Sequence, residues 1–243
     1  MKMLTFSSRT AKEILRDPVN LGFGLGFPVV LILLLSAIQA NVPVSLFEIE
    51  KLAPGMTIFG LSFMTLFSAT LIAKDRESAL LQRLYTTPLT AADFIFGYTL
   101  PILPVALAQA VLCFITAFIL GMDITVNVLW AVLILIPASV FFIALGLLCG
   151  SVFNVKQVGG MCGALLTNLT AWLSGIWFDL DLVGGAFKKV AELLPFCHAV
   201  RVEQAVCAGN FGDIRSDLAW VIAYAAAAAV FAVALFLRQM KRQ

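Results

Sequence analysis

The sequence predicts an all-α polytopic membrane protein. It reads as a single transmembrane domain over residues 1–243, with six transmembrane helices, an N-terminal amphipathic interfacial helix and a re-entrant helical hairpin before the last span. Three observations lead there. Of the 243 residues, 61% are hydrophobic and 12% charged, against roughly 25% charged in a soluble domain, so this composition cannot cover a water-facing surface. Six stretches of 20 residues or more carry no Asp, Glu, Lys or Arg: Pro18–Phe47, Leu52–Ala73, Phe94–Met122, Ile124–Val155, Gln157–Phe178 and Leu218–Leu237. At a rise of about 1.5 Å per residue, roughly 20 helical residues cross a hydrocarbon core of about 30 Å, so each run can span once. The runs are continuous in Leu, Ala, Phe and Val and do not alternate, which argues against the short alternating strands of a transmembrane β-barrel.

Taken in order, residues 2–17 form the interfacial element. Leu4, Ala11 and Leu15 fall on one helical face and Arg9, Lys12 and Arg16 on another. That is the pattern of a helix in the headgroup layer with its cations toward lipid phosphates; a disordered basic tail is the alternative. Lys12, Glu13, Arg16 and Asp17 precede an apolar run too long for a secretory signal, so the first span is expected to stay in the mature protein. Asp17 and Pro18 supply that span with an N-cap and a proline at its first position. Gln39–Lys51 joins the first two spans, and Pro54-Gly55 is read as the start of the second. Residues 74–92 form the one sizeable loop on the inner face, while Gly121–Val126 and Phe153–Gln157 are tight turns between antiparallel neighbours.

Residues 179–217 are too apolar for an ordinary loop, yet Leu182–Phe187 and Val190–Val200 are too short to span. They are read as a helical hairpin dipping into the outer leaflet, with Pro195 at or near its kink. Glycines at four-residue spacing, Gly22/Gly26, Gly146/Gly150 and Gly159/Gly163, allow close helix approach, either inside one bundle or at a seam between two.

Lysine and arginine set the orientation. With both termini cytoplasmic in a multi-pass cell membrane protein, the inner segments hold 11 of the 16 cations, giving +6 inside and −4 outside. Cys113, Cys149 and Cys162 lie in spans as small apolar residues, and Cys197 and Cys207 in the outer segment are read as unpaired thiols.

Several chemistries are excluded by what is missing. A P-loop needs a lysine after its second glycine to cradle phosphates, and none of the eight lysines follows a glycine, so any ATP use belongs to another polypeptide. Ion coupling and intramembrane catalysis place ionisable groups within spans, and the six runs have none. His198 beside Cys197 lacks a third ligand and is read as a packing residue, so no metal site and no catalytic residue is expected. Phe63, Phe67, Phe114, Phe118, Asn168 and Trp172 are reasonable path-lining residues because aromatic faces suit amphipathic cargo; lipid-facing or packing roles are the plain alternative.

The inner loop is the most informative segment. Lys74-Asp75-Arg76-Glu77 opens it, with Asp75 able to cap a short helix along the membrane. Leu80, Leu81 and Leu84 form a helical stripe, Tyr85-Thr86-Thr87-Pro88-Leu89 ends it, and Thr90 with Asp93 is similar to a capping box for the third span. Such a helix is either a handle for a peripheral partner or a passive connector.

At these residues the chain resembles the permease subunits of ATP-binding cassette exporters, the type 2 ABC permease family, also described as type V ABC exporters. Four short patterns carry the resemblance across essentially the whole chain. They are Lys12-Glu13-Ile14-Leu15-Arg16-Asp17-Pro18 with Pro28; Pro54-Gly55; Asp75-Arg76-Glu77 through Leu84 and Thr87-Pro88-Leu89 with Gly97; and Leu194-Pro195-Phe196 with Arg201. Tyr98 departs from the pattern, since many relatives have a basic residue there.

The resemblance implies an ATP-driven exporter of an amphipathic small molecule, drug or peptide. It implies a pair of permeases, identical or paralogous, docked to two ATPase subunits that bind ATP and Mg, with no cofactor on this chain and no nucleic acid among its partners. It assigns ATPase coupling to Asp75, Arg76, Glu77, Leu80, Leu81, Arg83, Leu84 and Pro88, with Glu77 and Arg83 as ionic contacts. Arg9, Lys12 and Arg16 belong to the interfacial helix, and Pro195, Phe196 and Arg201 to the re-entrant hairpin. A polysaccharide or lipid-linked glycan exporter, and a non-transporting membrane anchor or sensor, are the competing readings.

Overall fold

A computed structural model describes residues 2–78 and 90–240. Among them every regular element is a helix and there is no strand. Five helices are long and apolar enough to cross a membrane: α2 (Pro18–Gln39), α3 (Ile49–Glu77), α4 (Ala91–Ile119), α5 (Asn127–Val152) and α11 (Ile214–Met240). The amphipathic α1 (Lys2–Leu15) precedes them.

The Gln157–Phe178 run behaves differently from the other five. It is helical from Val155 to Leu173, but as α6 (Val155–Val158), a π-helical stretch (Gly159–Leu166) and α7 (Thr167–Leu173). Gly159, Gly160 and Gly163 offer no Cβ to resist the wider turn.

Helix α3 is the axis of the bundle. Leu52 through Ser62 are buried without a break, and α3 packs against α5, α4 and α2. Gly146 and Gly150 of α5 permit the closest of these approaches: a Cβ on Gly150 would lie 2.5 Å from the Ala69 carbonyl oxygen, and one on Gly146 would strike Ser68 Oγ. Across the same seam Thr65 Oγ1 donates to the Phe142 carbonyl at 2.7 Å and Ser68 Oγ to that of Ile143 at 3.2 Å. These hydroxyls are satisfied without water, as an interior facing hydrocarbon requires.

The ends of the elements follow local chemistry. Asp17 caps α2 through the Asn20 N–H, with Pro18 in the first turn. Thr90 and Asp93 form a reciprocal capping box on α4, and Asn154 and Gln157 form another on α6, which the sequence reading does not anticipate. Gly121, at φ 106°, closes the α4–α5 turn in a conformation that favours glycine. Two expectations are corrected. Pro54-Gly55 lies inside α3, which begins at Ile49, so Pro54 is an interior proline that removes the helical bond to the Glu50 carbonyl and does not mark the start of the span. Asp75 belongs to the last turn of α3, where its carboxylate is taken up by Arg9 and Tyr98.

The 179–217 segment folds as α8 (Leu180–Val183), α9 (Gly185–Leu193) and α10 (Pro195–Cys207). Helix α9 gives way to α10 at Leu194, which is extended, with Pro195 at the first position of α10. Tyr224 and Trp220 of α11 donate to the Leu193 carbonyl at 2.7 and 3.3 Å, which fixes the junction to the bundle. Helix α10 does not lie on the surface of the bundle; it packs between α3, α5 and α11.

Candidate functional site

At the α1 end of the bundle, a polar joint connects the first helix to the spans. Phe6 lies edge-on to Phe94 and Tyr98 of α4, with ring centroids 5.5 and 5.0 Å apart. The contact exists because residue 97 is glycine; a Cβ there would overlap the Phe6 ring. One turn along α1, Arg9 reaches Asp75 of α3 with both terminal nitrogens, at 2.7 and 2.6 Å. Tyr98 donates its hydroxyl to Asp75 Oδ2 at 2.7 Å, and Arg9 also pairs with Glu13 at 2.8 Å.

Asp75 is 2% exposed, so its charge is supported by a fork of two charge-assisted bonds and a phenol. Its carboxylate holds the Arg9 guanidinium further above its ordinary range, mainly through that hydrogen bond. Burial, reinforced by the Asp75 charge, pushes the Glu13 carboxyl up, while Arg9 draws it back.

The neighbouring residues extend the joint. Lys74 lies 3.4 Å from Asp17 at the start of α2. Arg76 donates to the carbonyls of Ser151 and, at 2.6 Å, Phe153, the otherwise open C-terminal carbonyls of α5. Glu77 accepts from the Val155 N–H at 3.0 Å, the first residue of α6, where a carboxylate suits the positive end of a helix. Residues 74–77 therefore touch α1, α2, α4, α5 and α6 immediately before the chain enters 79–89. Leu80, Leu81, Arg83, Leu84 and Pro88, the other residues assigned to coupling, lie outside the described residues.

The structure divides the interfacial cations. Lys12 and Arg16 are exposed on the outer face of α1, whereas Arg9 turns inward to Asp75. It also relocates Tyr98, which is fully buried and acts as a hydrogen-bond donor inside the joint.

A second feature runs along the side of the bundle. Phe23, Phe27 and Leu31 of α2, Phe59 and Phe63 of α3, and Thr167, Asn168 and Trp172 of α7 line a groove of about 480 Å³, with Trp177 and Phe178 at one end. Its rings form a chain of edge contacts, Phe27–Phe63 at 5.7 Å, Phe59–Phe63 at 5.9 Å and Phe59–Trp177 at 6.2 Å. Thr167 and Asn168 donate to the carbonyls of Cys162 and Ala164 in the π-helical stretch, so much of the groove's polarity is already answered within its own wall.

Of the residues suggested for a path, Phe63, Asn168 and Trp172 meet in this groove. Phe67 is packed against Gly24 instead, and Phe114 and Phe118 belong to a separate cluster with α5 and α10. The glycines divide in the same way. Gly22, Gly26, Gly159 and Gly160, on helices that wall the groove, have no atom within 4 Å of a modest side chain, in contrast to Gly146 and Gly150.

A family model described as ABC-2 type transporter matches residues 1–206. The chain belongs to the ABC-2 type transporter family. Comparison with curated protein sequences finds no match. Membership makes this chain a permease of an ABC transporter and a membrane protein.

The remaining named residues of the permease lie on α10. Phe196 is buried against Phe141 and Phe142, at 6.2 and 5.9 Å, and Arg201 is exposed with Glu192 at 3.5 Å. Cys197 and Cys207 are free thiols. Standing ten positions apart on one helix, they are about 15 Å from each other along the axis, too far for a disulfide. One polar residue escapes the sequence reading altogether. Glu203 of α10 is buried, although the signal was available: it stands in the apolar stripe Phe196, Ala199, Val200, Val206.

Proposed function

We propose that this permease works as one of a pair that docks two ATPase subunits and exports an amphipathic small molecule, drug or peptide from the cytoplasm. The observation that carries the reading is the aromatic groove between α2, α3 and α7, bordered by glycines without neighbours. Edge-packed rings with few unanswered polar groups suit the apolar body of such a cargo. A second permease seated on Gly22, Gly26, Gly159 and Gly160 would turn an open groove into an enclosed path, since small residues let membrane helices approach closely.

In this reading both termini are cytoplasmic in the cell membrane, and the stretch from α6 to α7 crosses as a sixth span. The α9–α10 hairpin enters from the opposite side. The ATPase binds ATP and Mg, and this chain performs no catalysis of its own. Movement of the 79–89 segment by the ATPase acts first on residues 74–77, whose bonds reach five helices and so distribute the displacement through the bundle.

The reading is tested by reversing charge at Glu77 and Arg83 together. Co-purification of the ATPase and cargo-stimulated ATP hydrolysis are expected to fall at least about tenfold, the equivalent of losing one charge-assisted contact of about 1.4 kcal/mol or more. Unchanged values would remove the coupling role from these residues.

A further inference from the structure

Glu203 presents a problem that the transport reading does not use. It is 1% exposed, and neither carboxylate oxygen has a hydrogen-bond partner among the described residues. Val202 and Val206, which flank it, belong to a buried cluster with Ala53, Phe114, Val128 and Ile214.

The titratable groups of the surrounding elements are engaged elsewhere. Helix α5 carries no Asp, Glu, Lys, Arg or His. On α3, Glu50 and Lys51 are exposed. On α4, Cys113 takes a hydrogen bond from Gln109 at 3.1 Å, and Asp93 caps the opposite end. On α11, Asp217 meets His198 at 2.5 Å, Arg215 is exposed and Tyr224 is bonded to Leu193. On α9, Lys188 pairs with Asp181, Lys189 is exposed and Glu192 lies by Arg201. Burial pushes the Cys207 thiol, one turn further along α10, up to about 12, so it offers Glu203 no compensating charge.

An unpaired carboxylate removed from water takes up a proton in preference to staying charged. Burial accordingly holds the Glu203 carboxyl well above the usual carboxylate range. The cavity at this end of the bundle is lined by Val200, Arg201 and Gln204 of the same helix and not by Glu203. Both Glu203 oxygens are sealed from solvent. A metal ion or an organic cation finds no coordinating partner and no approach there. A proton, which needs only one oxygen lone pair, does.

We propose that Glu203 is a proton-binding site, occupied while α10 is packed between α3, α5 and α11 and vacated when that packing opens to water. Binding forms one O–H bond on the carboxylate with a proton taken from water, and opening returns it. In the packed permease the neutral acid removes the charge that would otherwise oppose burial of the hairpin. Resting on the permease reading above, the site links any stage of the transport cycle that hydrates α10 to proton release.

The experiment uses purified permease in lipid nanodiscs, without ATPase, ATP or cargo, so its outcome is independent of whether the transport assignment holds. Infrared difference spectra compare wild type with Glu203→Gln at pH 7, in H2O and D2O. The expected result is one carbonyl stretch of a neutral carboxylic acid in the wild type, shifted by deuterium and lost in the variant. Absence of that band at pH 7, or a band that disappears around the ordinary glutamate value of about 4.3, overturns the proposal.

A second measurement stands if the variant folds poorly. Because the packed form binds the proton more tightly than the unfolded chain, the thermal midpoint of the wild type should fall as pH rises above about 4.3, toward the raised value of the packed state. Glu203→Met, which is uncharged at every pH, should lose that part of the slope. Equal slopes in wild type and variant contradict the proposal.

Discussion

Asp75 holds three donors from two other helices, and the physics of a buried charge makes it the most sensitive residue of the joint. Removing one partner of such a pair leaves the other uncompensated, so Asp75→Ala is expected to cost about 2–3 kcal/mol, kept at the lower end because Arg9 stays 39% exposed and can rehydrate. Tyr98→Phe removes one hydrogen bond and leaves the ion pair, for about 1 kcal/mol. Thermal midpoints in detergent, with Arg9→Ala and the double variant completing a cycle, check both values; strict additivity would mean that Arg9 and Asp75 do not act together. The sequence makes Asp75 conspicuous but conceals its use. Arg9 has the same helical spacing as Lys12 and Arg16, and a partner 66 positions away leaves no local trace. Tyr98 reads as a departure from a family pattern, whereas its position one turn beyond Phe94 places it beside Phe6 and within reach of the carboxylate.

At the scale of elements, five long helices and the amphipathic first helix were legible, because charge-free runs and caps such as Asp17-Pro18 and Thr90/Asp93 depend on neighbouring residues alone. The π-helical stretch was not, since hydrophobic runs carry no information on whether a turn holds one more residue. Nor was the inward placement of α10, whose depth is set by packing against α3, α5 and α11. The glycine pairs show the same limit. Identical spacing serves two purposes, with Gly146 and Gly150 closed against α3 and Gly22, Gly26, Gly159 and Gly160 open. Gly150→Leu is therefore expected to destabilise the monomer by about 3 kcal/mol or more through overpacking, read as a lower unfolding midpoint. Gly159→Leu should leave that midpoint within about 0.5 kcal/mol and weaken self-association in nanodiscs or by cross-linking. A folded, fully associated Gly159→Leu protein would remove this face from the proposed seam.

For the molecule as a whole, the distribution of charge organises the account. The α1 end concentrates its ions into one joint next to the 79–89 segment, the middle is held by hydroxyls and small residues, and the groove between α2, α3 and α7 presents aromatic rings. Under the proposed function, that arrangement would give the ATPase a point of attachment and the cargo a surface, with the packed α3–α5 pair between them. The most direct measurement is ATP-dependent movement of a fluorescent amphipathic dye in proteoliposomes holding the permease and its ATPase, comparing wild type, Asp75→Ala and Phe63→Ala/Trp172→Ala. Dye movement is expected to require ATP. Asp75→Ala should lower it together with cargo-stimulated hydrolysis, and the groove variant should lower it at least about tenfold with basal hydrolysis intact. Dye movement that proceeds without ATP, or at the wild-type rate in both variants, would contradict it.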